Sequence, residues 1–291
     1  MLNSYEKVSI VIPAYNEEKG IGALIDEIKE RLASLKMKDY EYEIIVVDDG
    51  SFDNTAKIAQ KKDVVLIQHP KNRGYGAALK TGIRKAKYDT IAITDADGTY
   101  PVSEMPELIK YIGEYDMVVG ARNKQKIPLM RRPAKFFLNR LANYLTDVEI
   151  PDLNSGLRVF KKDIAVNFFN LLPNGFSFTT TITLAMLTND YLVKFIPIDY
   201  QKRQGKSKIK PVRDTYNFIQ LIIRTVMYFN PLKIFIPISI TLFLMAMVVF
   251  CYSNFALHKV MDISVIVILM SAVQIAAIGL LADLVDKRSQ R

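Results

Sequence analysis

One stretch decides the fold of this 291-residue chain: Thr90-Ile91-Ala92-Ile93-Thr94-Asp95-Ala96-Asp97. Its first part is a short apolar run, which is typical of a strand buried on both faces of a sheet. The two acids that follow would stand at the carboxyl end of that strand, where α/β sheets bind their ligands. Two carboxylates one residue apart can hold a divalent cation together with phosphate oxygens. A simple turn at Asp97-Gly98 explains the same residues and remains an alternative.

Similar apolar runs recur on both sides of this stretch and alternate with amphipathic segments. Continuous β-branched runs separated by such helices predict an α/β domain with a parallel sheet covered on both faces. The predicted strands are 8–12, 44–47, 64–67, 90–94 and 117–119, and the predicted helices are 21–32, 54–61, 75–86 and 103–112.

The C-terminal part has a different composition, with no charged residue in 234–257 or in 263–282. Each run is long enough to cross a bilayer core of roughly 30 Å as a helix, and the few residues between them allow only a tight hairpin. A buried helical pair in a soluble protein is the alternative. Only Lys259 is basic in the hairpin loop, whereas the tail 287–291 carries three basic residues. The two runs predict a multi-pass protein of the cell membrane or an endoplasmic-reticulum-type membrane, and the positive-inside bias predicts that both termini are cytosolic.

These patterns divide the chain into three parts. We expect a cytosolic catalytic domain at 1–210, an amphipathic interface helix or linker at 211–229, and a transmembrane hairpin with a cytosolic tail at 230–291. The segment 130–146 resembles 211–229, because both place cations among apolar residues. Basic amphipathic helices of this kind lie flat on anionic membranes, although packing against the sheet explains them too.

The charge distribution favours phosphate ligands. The net charge is +9, and acidic residues are absent from 117–146 and from 200–213, which hold seven and six cations. The single cysteine, Cys251, excludes a disulfide framework and a cysteine zinc site. With only two histidines, a metal would be a hard ion held by carboxylates, Mg²⁺ or Mn²⁺. The sequence has no Walker A motif, which argues against a P-loop ATPase. It also has no nucleic-acid recognition motif, so we expect no nucleic-acid partner.

Two other predicted strands also end in polar residues. After the first strand, Tyr15 could stack on a base, and Glu17 could accept from a base or a ribose. After the second, Asp48-Asp49-Gly50-Ser51 could hold a nucleobase edge or a ribose. A helix N-terminal acidic pair at Glu17-Glu18 and a turn with an N-cap at 48–51 are the structural alternatives.

The order of these three strand ends resembles family 2 glycosyltransferases, which have the nucleotide-sugar-binding GT-A fold. Three further features are similar to the polyprenyl-phosphate branch, which contains the dolichol-phosphate mannose and glucose synthases. They are Asp152-Leu153-Asn154-Ser155-Gly156-Leu157-Arg158, then Arg203-Gln204-Gly205-Lys206-Ser207-Lys208, then the C-terminal hairpin.

This resemblance implies roles for particular residues. Asp95 and Asp97 would hold the metal, with Asp97, Asp152 and Arg203 in the catalytic group. Asp152 would orient the sugar or assist the attack, or else form a structural cap. Arg131 and Arg132 would meet the acceptor phosphate, for which attraction to lipid headgroups is an alternative. The implied donor-binding set is Pro13, Tyr15, Glu17, Val47, Asp49, Asp95, Ala96, Asp97, Thr99, Arg122, Arg203 and Lys208.

The reaction implied by the resemblance is inverting transfer of a hexose from a UDP- or GDP-linked sugar to a dolichyl or undecaprenyl phosphate. The sequence does not determine which donor is used. It also does not determine whether the chain forms a homo-oligomer through the hairpin. Two other functions stay open: transfer to another membrane acceptor such as diacylglycerol, and a non-catalytic membrane-bound nucleotide-binding scaffold.

Overall fold

A mixed seven-stranded sheet forms the centre of the N-terminal part. The computed structural model describes residues 7–34, 41–122, 140, 142–144, 146–175, 177–199, 231–256 and 262–289. The strands are β1 (Lys7–Ala14), β2 (Glu41–Asp48), β3 (Val65–Gln68), β4 (Thr90–Ile93), β5 (Met117–Arg122), β6 (Arg158–Lys161) and β7 (Val193–Ile198). The helices are α1 (Ile21–Ser34), α2 (Thr55–Gln60), α3 (Tyr75–Lys85), α4 (Met105–Lys110), α5 (Lys162–Asn167), α6 (Phe178–Thr188), α7 (Leu232–Ala256) and α8 (Asp262–Ser289).

The strand order across the sheet is β3-β2-β1-β4-β6-β5-β7. All pairings are parallel, as predicted, except that β6 runs antiparallel to both β4 and β5. The predicted parallel sheet is therefore confirmed for the strands read from the sequence, and β6, which the sequence did not indicate, adds an antiparallel strand between β4 and β5. Ile93 pairs with Arg158, so the residues that precede β6 lie beside the acids that follow β4.

Both faces of the sheet are buried. One apolar core joins β1, β2 and β4 to α1 and α4, and a second joins the opposite face to α3 and α6. Successive side chains of β1 enter alternate cores, because strand residues alternate between faces. The carboxyl edge of β1, β2 and β4 is left to the loops, and it is there that the polar residues predicted from the sequence lie.

The chain divides into two compact units, Met1–Leu221 and Ile222–Arg291. Among the described residues of the second unit, two helices are long and apolar enough to cross a membrane, at Leu232–Phe255 and Ile263–Val285. Most of their large apolar side chains are exposed, as expected of surfaces that face lipid.

Small residues bring α7 and α8 together. The Ser239 hydroxyl donates to the Ala272 carbonyl oxygen at 2.8 Å. At Gly279 an added β-carbon would lie 2.5 Å from the β-carbon of Phe235, so the two helices touch closely there. Apolar helices in lipid associate in this manner, through close packing of small residues and hydrogen bonds.

Candidate active site

The Asp95 carboxylate is held in place from two sides. Its Oδ1 accepts a hydrogen bond from the Tyr75 hydroxyl at 2.8 Å. Its Oδ2 faces Gly156, where a β-carbon would lie only 2.5 Å away. Burial, and secondarily the negative charge of Asp95, raises the pKa of Tyr75 well above its usual value, so the phenol keeps its proton and remains a donor. The carboxylate therefore has a fixed position directly after β4.

Asp97 forms a tight loop next to it. Its Oδ1 accepts from the Thr99 hydroxyl at 2.6 Å and from the Thr99 backbone N–H at 3.2 Å. Gly98 between them has φ +66°, in the left-handed region. Thr99 is buried and binds Asp97, and Ala96 is buried with its carbonyl oxygen close to Gly20, where a β-carbon would lie 2.9 Å away. These two predicted donor-binding residues thus shape the loop 95–99 after β4, the acidic loop.

The acidic loop fits a hard divalent cation that also binds a ligand. Carboxylate oxygens are the ligands that Mg²⁺ and Mn²⁺ prefer. Within the described ranges, no group of three or more His, Cys, Asp or Glu side chains could enclose a metal ion. Two carboxylates alone would leave most of an octahedral shell to waters and phosphate oxygens, which is the usual arrangement for Mg²⁺ at nucleotide sites.

Asp49 is buried and turned toward the loop that leads into α3. Its Oδ1 accepts from the Arg73 backbone N–H at 2.9 Å and lies 2.6 Å from His69 Nδ1. Its Oδ2 accepts from the Gly74 N–H at 2.8 Å. These contacts anchor the loop before α3 to the end of β2. The contact of Asp49 with a nucleoside stays a prediction, because these bonds join Asp49 to other parts of the protein.

The loops after β1 and β2 are tied together at the same edge. Asn16, with φ +55°, accepts from the Phe52 N–H at 2.9 Å through its side chain. The Glu17 N–H donates to Thr55 Oγ1 at 2.9 Å. Tyr15 stands edge-on to Phe52, with ring centroids 6.4 Å apart. The Phe52 side chain is 89% exposed, so an aromatic pair borders the open side of this edge.

Pro13 and Val47, both predicted to line the nucleoside pocket, are paired in register between β1 and β2. Both are buried, and Val47 belongs to the core against α3. Any contact of Val47 with a nucleoside would therefore come through its backbone.

Arg122 and Asp152 form a two-pronged ion pair. Arg122 Nε donates to Asp152 Oδ2 at 2.6 Å, and Nη2 donates to Oδ1 at 2.8 Å. Burial alone would raise the pKa of Asp152, but the hydrogen bonds and charge of Arg122 hold it below its usual value of 3.8. Asp152 is therefore ionised at neutral pH.

Arg158 is a fully buried cation at the start of β6, where it pairs in register with Ile93 at the end of β4. Its guanidinium donates to the Ser155 carbonyl oxygen at 2.5 and 3.1 Å and to the Thr179 carbonyl oxygen at 2.9 Å. Burial lowers the pKa of Arg158 to about 10, which still leaves it charged at neutral pH. The Arg158 bonds fix the turn that sets Gly156 against Asp95.

Four predicted phosphate-binding cations, Arg131, Arg132, Arg203 and Lys208, lie outside the described residues. So do the predicted interface segment 211–229 and most of 130–146, of which only 140, 142–144 and 146 are described. Their roles stay predictions.

The residues that support Asp95 and Asp97 could not be identified from the sequence. Gly156 and Arg158 belong to the motif at 152–158, but the spacing of that motif does not predict that they lie near Asp95. Tyr75 begins α3 and gives no signal of its own. Tyr100, whose hydroxyl oxygen accepts from the Gly156 N–H at 2.7 Å, likewise has no signal of its own in the sequence. The antiparallel insertion of β6 brings Gly156 and Arg158 to the end of β4.

The sheet order, the acids after β4 and the aromatic edge after β1 and β2 define an α/β glycosyltransferase domain of the GT-A type. Residues 9–169 match Glycosyl transferase family 2, and residues 230–286 match the GtrB C-terminal hairpin. The first match covers more than half of the chain, so the protein belongs to glycosyl transferase family 2 and is a glycosyltransferase. The fold class and family expected from the motifs are confirmed.

Individual relatives point the same way. Dolichyl-phosphate hexose transferase of Haloferax volcanii is 29% identical over 213 residues, covering 72% of this chain and 89% of that protein. Undecaprenyl-phosphate 4-deoxy-4-formamido-L-arabinose transferase of Pectobacterium carotovorum is 25% identical over 99% of this chain and 90% of that protein. These relatives confirm the resemblance to polyprenyl-phosphate sugar transferases.

A solved structure shares the fold. Glucosyl-3-phosphoglycerate synthase of Mycobacterium tuberculosis, solved with Mn²⁺, UDP and phosphoglyceric acid, matches with a TM-score of 0.61 at 17% identity. The match covers 76% of this chain and 78% of that one.

Proposed function

We propose that this glycosyltransferase moves a hexose from a UDP- or GDP-linked sugar to a polyprenyl phosphate, such as dolichyl or undecaprenyl phosphate, with inversion at the anomeric carbon. The observation that carries the proposal is the pair Asp95 and Asp97 at the carboxyl edge of β4, with Asp95 fixed by Tyr75 and Gly156. The names of the polyprenyl-phosphate relatives support the class of acceptor.

The chemistry asks mainly for charge stabilisation on the leaving nucleoside diphosphate. Asp95 and Asp97 would hold a Mg²⁺ or Mn²⁺ ion, which when bound supplies positive charge to that diphosphate. Arg122 on the same edge would add a cation that can bind two phosphate oxygens at once. We expect Arg203 and Lys208 to act on the diphosphate as well. Tyr15 and Phe52 offer aromatic surface to the base.

The acceptor needs little activation. A phosphate monoester has a second pKa near about 6, so most of it is a dianion at pH 7 and already a nucleophile. Attack of its oxygen on the anomeric carbon forms the new C–O bond as the bond to the nucleoside diphosphate breaks. Positioning then does most of the work, and a strong base is less necessary than with an alcohol acceptor.

We place the catalytic unit and both termini in the cytosol, with the two helices as a membrane hairpin. The exposed apolar surfaces of α7 and α8 support insertion in lipid. The basic tail 287–291 supports the orientation. Protease treatment of sealed vesicles tests it: the catalytic unit should be cleaved only when the cytosolic face is exposed.

The test of the reaction is mass spectrometry of the lipid product. Full-length protein in detergent is incubated with a short polyprenyl phosphate, a divalent cation, and UDP-glucose, a UDP-N-acetylhexosamine or GDP-mannose in turn. One donor should give a lipid with the mass of one added sugar, and NMR of that lipid should show a single anomer with the configuration inverted relative to the donor. Asp97→Ala and Arg203→Ala should each abolish the product, whereas Asp63→Ala, an exposed acid before β3 at the opposite edge of the sheet, should not.

Other outcomes separate the alternatives. A glycosylated diacylglycerol with no product on polyprenyl phosphate would contradict the proposed acceptor. Donor binding without transfer or hydrolysis would favour a non-catalytic scaffold. Full activity of Asp97→Ala would contradict the metal site.

A further inference from the structure

The Asp152 carboxylate is saturated by hydrogen bonds. Besides the two bonds from the Arg122 side chain, its Oδ2 accepts from the Arg122 backbone N–H at 3.2 Å. Its Oδ1 accepts from the Asn154 N–H at 3.1 Å. Each oxygen thus accepts two bonds, which fills the roughly four lone-pair positions of a carboxylate. The side chain is 7% exposed, so little of it can reach a substrate.

A general base needs an oxygen within reach of the proton that it removes, and a pKa near the working pH. Asp152 offers neither, because four donors surround its oxygens and Arg122 favours its charged form. The Asp152–Arg122 bonds have another consequence. They fix the plane of the guanidinium, and the Arg122 side chain remains 26% exposed.

The fixed guanidinium stands at the same edge as the acidic loop. Arg122 ends β5, and β4 is separated from β5 by the single strand β6. Adjacent strands lie about 4.8 Å apart, so β5 lies roughly 10 Å across the sheet from β4. Val119 is level with Ile93, and Arg122 lies three residues further toward the carboxyl edge, as the acids after β4 do. An extended arginine and a diphosphate held at Asp95 and Asp97 can bridge such a distance.

We propose that Asp152 is a positioning residue, which holds the Arg122 guanidinium for a phosphate group and takes no proton in the reaction. The phosphate belongs either to the donor diphosphate or to the polyprenyl phosphate. This inference rests on the proposed function. The sequence was compatible with either a catalytic role or a structural cap for Asp152. The role proposed here is the orientation of Arg122.

The experiment is a double-mutant cycle on the full-length protein with Asp152→Asn, Arg122→Lys and the combined variant. Arg122→Lys keeps the charge but loses the two-pronged geometry. If Asp152 acts through Arg122, each single variant should lower kcat/KM by about 10- to 100-fold, and the combined variant should be no worse than either. The acidic limb of the pH–rate profile should be the same in Asp152→Asn as in the wild type.

The KM values separate the two sources of phosphate. A raised KM for the nucleotide-sugar places Arg122 on the donor, and a raised KM for the lipid places it on the acceptor. Calorimetric binding of UDP, GDP and a short polyprenyl phosphate gives the same distinction without turnover. Asp152→Asn and Arg122→Lys should weaken binding of the same ligand by similar factors.

A general base would behave differently. Asp152→Asn would then lose the acidic limb and fall by about 10²- to 10⁴-fold in kcat, while Arg122→Lys stayed near the wild type and the two effects multiplied. That result overturns the inference. If Asp152→Asn fails to fold, Arg122→Lys decides alone, since activity near the wild type would contradict a shared role. A wild type that transfers no sugar would instead contradict the proposed function.

Discussion

Replacement of Gly156 by alanine tests the geometry of the acidic loop with a single methyl group. The new β-carbon would lie 2.5 Å from Asp95 Oδ2 and 2.7 Å from its carboxyl carbon. Ordinary contacts begin near 3.4 Å, so the carboxylate must move by about 1 Å. The Gly156 backbone is outside the left-handed region, so alanine adds no strain in φ.

The size of the effect follows from what must give way. Asp95 is a short side chain held by the Tyr75 hydroxyl, and its displacement spoils both that bond and its approach to a metal. A misplacement of about 1 Å at a reacting centre can cost about 10²-fold in rate. We therefore expect kcat/KM to fall by about 100-fold. An extra methyl group in a packed site costs about 1–3 kcal/mol of stability. For Gly156→Ala we expect a cost near 1 kcal/mol, about the lower end of that range, because the Asp95 side chain can move away.

The assay combines Mn²⁺ titration by electron paramagnetic resonance with steady-state transfer and thermal unfolding in detergent. Gly156→Ala should weaken Mn²⁺ binding by about tenfold or more while the protein stays folded. Gly175→Ala is the matched control, because an added β-carbon there meets nothing within 4 Å. It should behave like the wild type. Unchanged Mn²⁺ affinity and turnover in Gly156→Ala would refute the placement of Asp95 as a metal ligand.

Three other changes follow from the same structure. Tyr75→Phe removes the hydroxyl that fixes Asp95, so Mn²⁺ affinity should fall by about 10- to 100-fold in the same titration; an unchanged affinity would show that the bond is dispensable. Arg122 lowers the pKa of Asp152, so the stability that this carboxylate contributes is present above about pH 4 and is lost as the pH falls through the lowered pKa. Thermal unfolding of Asp152→Asn should therefore decline less steeply in acid than that of the wild type, and equal slopes would count against it. Gly279→Leu should separate the two apolar helices and lower the unfolding temperature in detergent, whereas a stability equal to that of the wild type would contradict their close contact.

The sequence predicted those features for which a pattern of side chains is compatible with a single local structure. Continuous apolar runs indicated buried strands, and acids directly after such a run had to stand at the sheet edge. The stretch around Asp95 therefore predicted both a strand and its position. The charge-free runs likewise predicted two long apolar helices, which the structure contains.

What the sequence could not predict depends on contacts between distant residues. β6 is four residues long, and nothing in Arg158–Lys161 indicates that it runs antiparallel. Without that strand, the turn at Gly156 has no reason to lie under Asp95. The roles of Asp49 and Asp152 were ambiguous for the same reason. Their acidic side chains fit a ligand or a cap equally well until their partners are known.

The most direct test of the metal and donor site is calorimetric binding of UDP and GDP, with and without Mn²⁺, to the wild type and to Asp97→Ala. We expect one of the two nucleotides to bind the wild type at least about tenfold more tightly with Mn²⁺ than without it, a difference of about 1.4 kcal/mol. In Asp97→Ala that gain should vanish. Equal affinity with and without Mn²⁺, or an undiminished gain in affinity in Asp97→Ala, would contradict a metal and donor site at Asp95 and Asp97.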